Sequence, residues 1–183
     1  EDQIRGDGVI LDAPATPLEE KGVSQADGLT TREKNLALCI KTADCQPVML
    51  AHKSGKYIAA LHVGWRGNRI NFPHSGTTAF CKHYGLNPAD LIAVRGPSLG
   101  PTAAEFINFD TEWGDEFRPW YNPNTRCMDL WALTRHQLKV VGLKPENIHG
   151  IDLCTHTRTD LFHSFRRDNA QSGRQASCIW TVG

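Results

Sequence analysis

The alternation of apolar and polar positions along the chain predicts several short strands interleaved with two longer helices. Apolar runs bounded by charged residues, glycine or proline are typical of strands with at least one buried face. Such runs predict strands over residues 8–11, 36–40, 47–51, 57–63, 91–94, 148–153 and 177–182. Apolar residues near helical spacing predict helices over 68–85 and 129–141, both stopped by glycine. Residues 25–29 are expected to form a loop.

A hairpin is predicted in the first half of this pattern. The Ser-Gly pair at 54–55 lies between two apolar runs, as in a turn that joins antiparallel strands. Cys45 precedes the first strand of the hairpin, and His62 lies near the end of the second. The turn falls roughly midway between these residues, which are 17 positions apart. We therefore expect their side chains to lie within reach of each other.

The order of the predicted elements indicates the fold class. Strands interleaved with helices, in a chain without an internal repeat, low-complexity tract or linker, are typical of a layered α/β domain. A hairpin beside helical connections favours a mixed β-sheet. The length of 183 residues fits one domain.

Charge and composition exclude some classes of partner. The 20 basic and 20 acidic residues cancel, so no electrostatic argument favours nucleic acid or a membrane surface. The apolar runs fall far short of the roughly 20 residues that a membrane span requires, and no signal peptide is recognisable. Six scattered cysteines without a CxxC pair favour reduced thiols and a cytoplasmic location.

Cys45 and His62 are the strongest candidates for chemistry. A thiol and an imidazole can share a zinc or copper ion, or act as nucleophile and base. Taken alone, the pair is more often a buried cysteine and a hydrogen-bonded histidine. Gly64 and Gly67 favour a functional interpretation, because they leave room for a ligand or another segment near the backbone.

Arginines and a glycine-rich loop are candidates for anion binding. Arg66 follows His62 closely and offers a planar cation for phosphate or carboxylate, although a structural ion pair is equally compatible. Residues 96–101, Gly-Pro-Ser-Leu-Gly-Pro, could cradle an anion or form a tight turn. Arg166, Arg167 and Arg174 cluster near the C-terminus, as an anion clamp or as a solvated charge run.

Several motifs in register resemble one known family. They are Thr-Ala-Asp-Cys at 42–45, His-Val-Gly-Trp-Arg-Gly at 62–67, Gly-Pro-Ser-Leu-Gly-Pro at 96–101 with Glu-Phe at 105–106, Cys-Thr at 154–155, Ser-Phe-Arg-Arg-Asp at 164–168 and Gly-Arg at 173–174. Together they resemble the YfiH-like laccase-domain family, also called multicopper polyphenol oxidases or purine nucleoside phosphorylases. The resemblance runs from about residue 3 to about residue 180.

The resemblance implies a fold and a metal site. It implies one three-layer α/β/α domain with a mixed sheet over residues 1–183, without the family's N-terminal segment. It also implies that zinc or copper is held by His, Cys and His, two of which correspond to Cys45 and His62. Arg5 stands where the third ligand is expected, and a guanidinium has no lone pair to donate. His156 and His163 are alternative ligands only through their nearness to motifs.

The resemblance also implies a function. It implies phosphorolysis of adenosine or inosine, with adenosine deamination or phenol oxidation as further activities. Cys45 and His62 would then be catalytic, with a metal polarising water or substrate, and Arg66, Arg167 and Arg174 would bind phosphate or other anionic groups. The substrates would be a purine nucleoside and phosphate, or a phenol.

Two alternatives stay open beside that function. One is an amide or peptide hydrolase in which Cys45 is the nucleophile and His62 the base, with the Arg5 cation favouring the thiolate. The other is a non-catalytic descendant that keeps the fold and binds a ligand or partner, because Arg5 replaces a metal-ligand histidine.

Overall fold

The computed structural model describes residue 3, residues 6–15 and residues 25–183. The strands are β1 (Val9–Ile10), β2 (Gly28–Thr31), β3 (Leu38–Thr42), β4 (Gln46–His52), β5 (Ile58–Val63), β6 (Leu91–Arg95), β7 (Tyr121–Asn122), β8 (Cys127–Met128), β9 (Ile148–Gly150) and β10 (Gln175–Ile179). The α-helices are α1 (Trp65–Arg69), α2 (Phe72–Tyr84), α3 (Phe109–Glu112), α4 (Leu130–Val140) and α5 (Phe165–Asp168).

A six-stranded mixed sheet forms the centre of the molecule. Its strand order is β1-β2-β5-β4-β6-β9. The β2–β5, β4–β5 and β4–β6 pairs are antiparallel, whereas β1–β2 and β6–β9 are parallel. The predicted hairpin is the β4–β5 pair, and Gly55 in its turn has a φ of +70°, which glycine adopts without strain. The predicted α/β class and mixed sheet are confirmed.

Helices α2 and α4 pack on one face of the sheet. Phe72 and Phe80 of α2 are fully buried with Val48 and Leu61 of the hairpin, and Leu138 of α4 joins the same core. The Asp129 side chain caps α4 by accepting the Ala132 N–H, and α2 ends at a left-handed glycine. This helical layer packs against one face of the β4–β5 hairpin. The packing helps to position the candidate functional residues, which lie at the end of that hairpin.

A two-stranded antiparallel ribbon of β3 and β10 covers the other face of the sheet. Leu38 and Ile40 of β3 are buried in one cluster with Ile58 and Ala60 of β5. The alternate residues of β3, Cys39 and Lys41, are exposed. This period of two is the pattern of a strand with one buried face.

Some elements differ from the prediction. Strand β2 begins at Gly28, inside the stretch expected to be a loop, because it pairs with β5 over four residues. The helix expected over 68–85 is divided into α1 and α2 by Asn71, whose φ is +59°. The ends of β9 and β10 also differ by a few residues from the apolar runs that predict them.

The expectation that all cysteines are reduced is wrong for two of them. Cys39 and Cys178 face each other in the β3–β10 pair and form a disulfide, although they are 139 residues apart in sequence. Cys45, Cys81, Cys127 and Cys154 are free thiols. Cysteine spacing could not show the pair, because only the tertiary fold places the two strands side by side. Among the described residues, no helix has the length and apolar character to span a membrane.

Candidate functional site

A cavity of about 480 Å³ lies beyond the start of β4 and the end of β5. Cys45 and His62 both line it. The charged side chains of its wall are Lys41, Asp44, Arg66, Arg166 and Arg174, and its aromatic ones are Trp65, Phe106 and Phe165. The β3 end, the β4–β5 hairpin, the start of α1 and the α5–β10 segment therefore meet around one space.

The hairpin register brings Cys45 to His62. Pro47 pairs with His62, so Cys45 lies two residues before the strand position opposite His62. Both side chains line the same cavity, and the interaction with Cys45 helps to raise the pKa of His62. A Cβ on Gly64 would lie 3.1 Å from the Cys45 sulfur, so glycine at this position keeps space for the thiol.

Asp27 orients the His62 ring. Its Oδ1 lies 2.7 Å from His62 Nδ1, and its other oxygen accepts the Gly6 N–H. Asp27 is completely buried and His62 is nearly so. A carboxylate at Nδ1 holds a proton on that nitrogen and so fixes the orientation of the ring. Cys45, His62 and Asp27 thus form a continuous series of interacting side chains.

The pKa of His62 reflects two opposing effects. Burial by itself lowers the pKa, but hydrogen bonds to Asp27 and Cys45 and the charges of these groups outweigh burial and raise the pKa to about 9. The ring is therefore protonated at neutral pH.

Replacing Asp27 with Asn is expected to change how stability depends on pH. The folded pKa of His62, about 9, exceeds the unfolded value of about 6.5. The stabilisation is therefore fully present below about pH 6.5 and is lost as the pH rises through 9. In the Asp27→Asn variant, the unfolding free energy should decrease less between pH 6.5 and pH 9 than it does in the parent chain. Urea unfolding at a series of pH values measures it.

Asp160→Asn is the control for that experiment, because Asp160 is an exposed carboxylate paired with Arg158. Its variant should keep the pH dependence of the parent chain. An Asp27→Asn variant with the parent dependence would contradict the role assigned to Asp27.

Asp44 joins three segments of the cavity wall. Its carboxylate accepts hydrogen bonds from the Thr155 hydroxyl at 2.7 Å and the Arg166 N–H at 2.6 Å, and its carbonyl accepts the Leu99 N–H. Asp44 itself has a φ of +85°, an uncommon conformation for a residue other than glycine. This arrangement turns the chain sharply between β3 and Cys45, so Asp44 positions the thiol.

The 96–101 loop is a structural turn. Its backbone N–H groups are all used within the protein: Gly96 donates to Pro47, Ser98 to Leu153, Leu99 to Asp44, and Gly100 to the Cys154 sulfur. The two prolines have no N–H to donate. No backbone donor of this loop is left for an anion.

Comparisons with known proteins identify the family. A family model described as multi-copper polyphenol oxidoreductase laccase matches residues 2–182. The chain belongs to this family. Purine nucleoside phosphorylase YfiH of Escherichia coli K12 is 31% identical over an alignment of 189 positions that covers 99% of this chain and 72% of that protein.

Solved structures of the family share the fold. A YfiH protein of Bacillus licheniformis has a TM-score of 0.75 and 29% identity, with 86% of this chain and 62% of that chain covered. YlmD of Geobacillus stearothermophilus has a TM-score of 0.81 and 23% identity, with 98% of this chain and 72% of that chain covered. The resemblance to the YfiH-like laccase-domain family is therefore confirmed.

Of the three arginines expected to bind anions, two line the cavity and one does not. Arg66 and Arg174 are cavity residues. The Arg167 guanidinium donates instead to the carbonyls of Thr155, His156 and Phe162 and to both carboxylate oxygens of Asp168. With its donors occupied in this way, Arg167 holds the 155–168 segment together. The structure gives no support to its assignment to substrate binding, which stays a prediction.

Arg166 takes the place expected of Arg167. It lines the cavity, donates to the Glu105 carbonyl at 2.6 Å, and lies 5.5 Å from the Phe106 ring centre. The sequence shows the Arg-Arg pair but not which of the two arginines faces the cavity, because the directions of their side chains depend on how the short helix α5 is placed. No motif in the sequence pointed to Asp27. It directly precedes β2, and this stretch was expected to be a loop.

The donor set for zinc or copper is incomplete among the described residues. Cys45 and His62 suit such an ion, and a carboxylate such as Asp27 on the outer nitrogen is common for ligand histidines. Catalytic zinc sites normally have three protein ligands. No cluster of three His, Cys, Asp or Glu side chains that could hold a metal occurs in residues 3, 6–15 and 25–183.

The expected third positions do not complete the metal site. His156 and His163 do not line the cavity, and the His163 ring lies against Gly173. Arg5 lies outside the described residues, between Gln3 and Gly6, which are tied to Lys41 and Asp27. A zinc or copper ion would therefore have two protein donors from the described part of the chain.

Proposed function

We propose that this chain cleaves purine nucleosides with phosphate, releasing the free base of adenosine or inosine and ribose 1-phosphate. Deamination of adenosine is a secondary activity under the same proposal. The observation that carries it is the combination, in one cavity, of the Cys45–His62 pair with cationic and aromatic side chains. The curated name of the Escherichia coli relative supports the same substrate class.

Phosphate is held by the cations of the cavity wall. Among the described lining residues, the four cations Lys41, Arg66, Arg166 and Arg174 outnumber one carboxylate, Asp44. Its oxygens already accept hydrogen bonds from Thr155 and Arg166. Arginine binds phosphate through parallel, charge-assisted hydrogen bonds. The Arg66 guanidinium lies 4.2 Å from the centre of the Trp65 ring, a contact that restricts its position.

The purine base packs on the aromatic part of the wall. Phe106 is buried and in edge contact with Trp65, so it forms part of the floor. Phe165 is 43% exposed although it lines the cavity, which leaves its ring surface available to a planar base. Stacking on an aromatic ring is tolerant of the identity of the base.

His62 supplies the proton for the departing base. In phosphorolysis a phosphate oxygen bonds to C1′ of the ribose while the bond from C1′ to the purine nitrogen breaks, and the base leaves more easily when it is protonated. His62 carries that proton at neutral pH, and hydrogen phosphate returns a proton to His62 once its oxygen has bonded to the sugar. Asp27 holds the ring in position at Nδ1, and Cys45 lies beside it in the cavity wall.

Replacing Arg66 with Gln is expected to raise the KM for phosphate by about 10–100-fold, the size of one or two hydrogen bonds to a charged group. The KM for inosine should change far less. The assay follows free base and ribose 1-phosphate by chromatography while the phosphate concentration is varied.

Arg69→Gln is the matched control, because Arg69 is exposed on the same helix and does not line the cavity. It should keep the KM of the parent chain. Equal effects of the two substitutions, or base release that does not depend on phosphate, would contradict the proposal.

Amide or peptide hydrolysis is a second candidate, and Asp27 is the observation that favours it. Cys45, His62 and Asp27 stand in the order nucleophile, base and orienting carboxylate that hydrolases use. Rapid alkylation of Cys45 in metal-free protein, together with the absence of phosphorolysis, would favour the hydrolase. The buried Cys81, whose pKa burial raises to about 11, is an internal standard for a slow thiol.

A further inference from the structure

The disulfide of the β3–β10 ribbon lies close to the cavity. Cys39 and Cys178 are directly opposite in the antiparallel register, with Cα atoms 4.2 Å apart. Both residues are exposed. A reductant in solution can therefore reach the disulfide while the protein stays folded.

The two bridged strands carry neighbouring parts of the cavity wall. From Cys39, β3 runs directly into the wall residues Lys41, Asp44 and Cys45. On the other strand, Arg174 immediately precedes β10, whose first residue pairs with Thr42 at the cavity end of β3. The disulfide thus links the strand that leads to the thiol with the strand that begins after an anion-binding arginine.

Strand β10 is less buried than the strands of the central sheet. Its residues are half-buried or exposed, with none fully buried, and among the described residues its strand pairing is with β3. Its further contacts are the packing of Ile179 on the apolar cluster of β3 and β5 and the hydrogen bond that Gln175 accepts from the His163 N–H. Two-stranded antiparallel pairs are marginally stable without further packing. The Arg174 guanidinium donates to the carbonyls of Ser172 and Gly173, so these contacts do not tie it to another part of the fold. Apart from its guanidinium, which lies 5.8 Å from the centre of the Phe165 ring, Arg174 is placed at the cavity by the start of β10, and the disulfide fastens β10 to β3.

We propose that the Cys39–Cys178 disulfide is a redox-sensitive clamp that closes the cavity when oxidised and releases β10 and Arg174 when reduced. This regulation would act on the site of the proposed function. The inference rests on the proposed function only for the identity of the anion that Arg174 binds. The opening itself is a property of the ribbon.

The redox step is thiol–disulfide exchange with a dithiol. One thiolate of the dithiol attacks the sulfur of Cys39 or Cys178, forming a mixed disulfide and releasing the other cysteine as a thiolate. The second thiol of the reductant then displaces the remaining protein sulfur. The protein disulfide gains two electrons and two protons, and the dithiol becomes a disulfide.

Hydrogen exchange of the full chain tests the clamp directly. Backbone amides of Gln175–Ile179 should exchange about tenfold faster or more after reduction with dithiothreitol, because local opening governs their exchange. Amides of Ile58–Val63, in the centre of the sheet, should keep their rates and so report that the fold is intact. The Cys39→Ser, Cys178→Ser double variant should behave as the reduced protein with or without reductant.

Alkylation of Cys45 is a second measurement that needs no substrate. Iodoacetamide should modify Cys45 several-fold faster in the double variant than in the oxidised parent chain, because the cavity opens, whereas the buried Cys127 should show no change. Unchanged exchange of β10 on reduction, or an unchanged alkylation rate of Cys45, would overturn the proposal.

Phosphate affinity separates this inference from the proposed function. Inorganic phosphate should bind several-fold more weakly to the reduced protein than to the oxidised one. If neither form binds phosphate while exchange and alkylation still respond to reduction, the proposed function fails and the clamp stands. Redox-independent phosphate binding would count against the release of Arg174.

Discussion

Replacing Cys45 or His62 with alanine is expected to remove phosphate-dependent release of base from adenosine and inosine. The loss in kcat should be at least about 100-fold for His62→Ala, the smallest effect typical of a group that takes part in proton transfer, and similar for Cys45→Ala, because His62 depends on Cys45 for its position. The double variant should be little worse than either single variant, because residues that act as one unit are not additive. Chromatography of free base and ribose 1-phosphate measures all three.

Stability distinguishes the two single variants. Cys45→Ala should lose much less stability than His62→Ala, because the thiol is half-buried beside the cavity and Asp27 keeps its partner. His62→Ala leaves the buried Asp27 carboxylate without its partner and should lose about 3–5 kcal/mol. Adding Asp27→Asn to His62→Ala should recover much of that stability without recovering activity. Normal turnover by a well-folded Cys45→Ala variant would show that the thiol has no part in the reaction.

Replacing Arg5 with His is expected to raise the affinity for zinc by about 10–100-fold, a range typical of changes around a metal site. The change restores a neutral nitrogen donor and removes a positive charge that repels the metal ion. The affinity of the parent chain should be weak, since Cys45 and His62 are two ligands where three are usual. Competition with a chromophoric chelator, with zinc and then copper, measures the gain.

Arg5→Gln separates the added donor from the removed charge. It also removes the cation but offers no imidazole nitrogen, so its gain should be much smaller than that of Arg5→His. Equal gains would attribute the effect to charge alone. An unchanged affinity in Arg5→His would mean that residue 5 does not occupy the ligand position that the family resemblance implies.

The hairpin is the part of the fold that local sequence predicts best. Apolar runs on both sides of a Ser-Gly turn form β4 and β5, and the pairing of Pro47 with His62 follows from the position of that turn. The same reasoning missed β2, because its short sequence, Gly-Leu-Thr-Thr, has little apolar character and becomes a strand by pairing with β5. Local pattern predicts an element well when the element is long and strongly apolar.

The candidate site likewise has one part that the sequence predicted and another that only the structure showed. Motif order pointed to Cys45, His62, Arg66 and Arg174, all of which line the cavity. The motifs named Arg167, whereas Arg166 is the one of the two that lines the cavity, because neighbouring residues on a short helix point in different directions. The disulfide was also missed, since its cysteines approach only when the ribbon forms.

The sequence by itself determined the α/β class, the hairpin that returns His62 toward Cys45, and the family to which the chain belongs. These properties depend on the periodicity of nearby residues and on motifs that occur in a definite order. Only the tertiary structure decided that Asp27 holds His62, that Asp44 joins three segments of the wall, and that Cys39 bonds to Cys178. Each of these contacts joins residues far apart in sequence, and such residues meet because the sheet and the ribbon bury their apolar faces against each other.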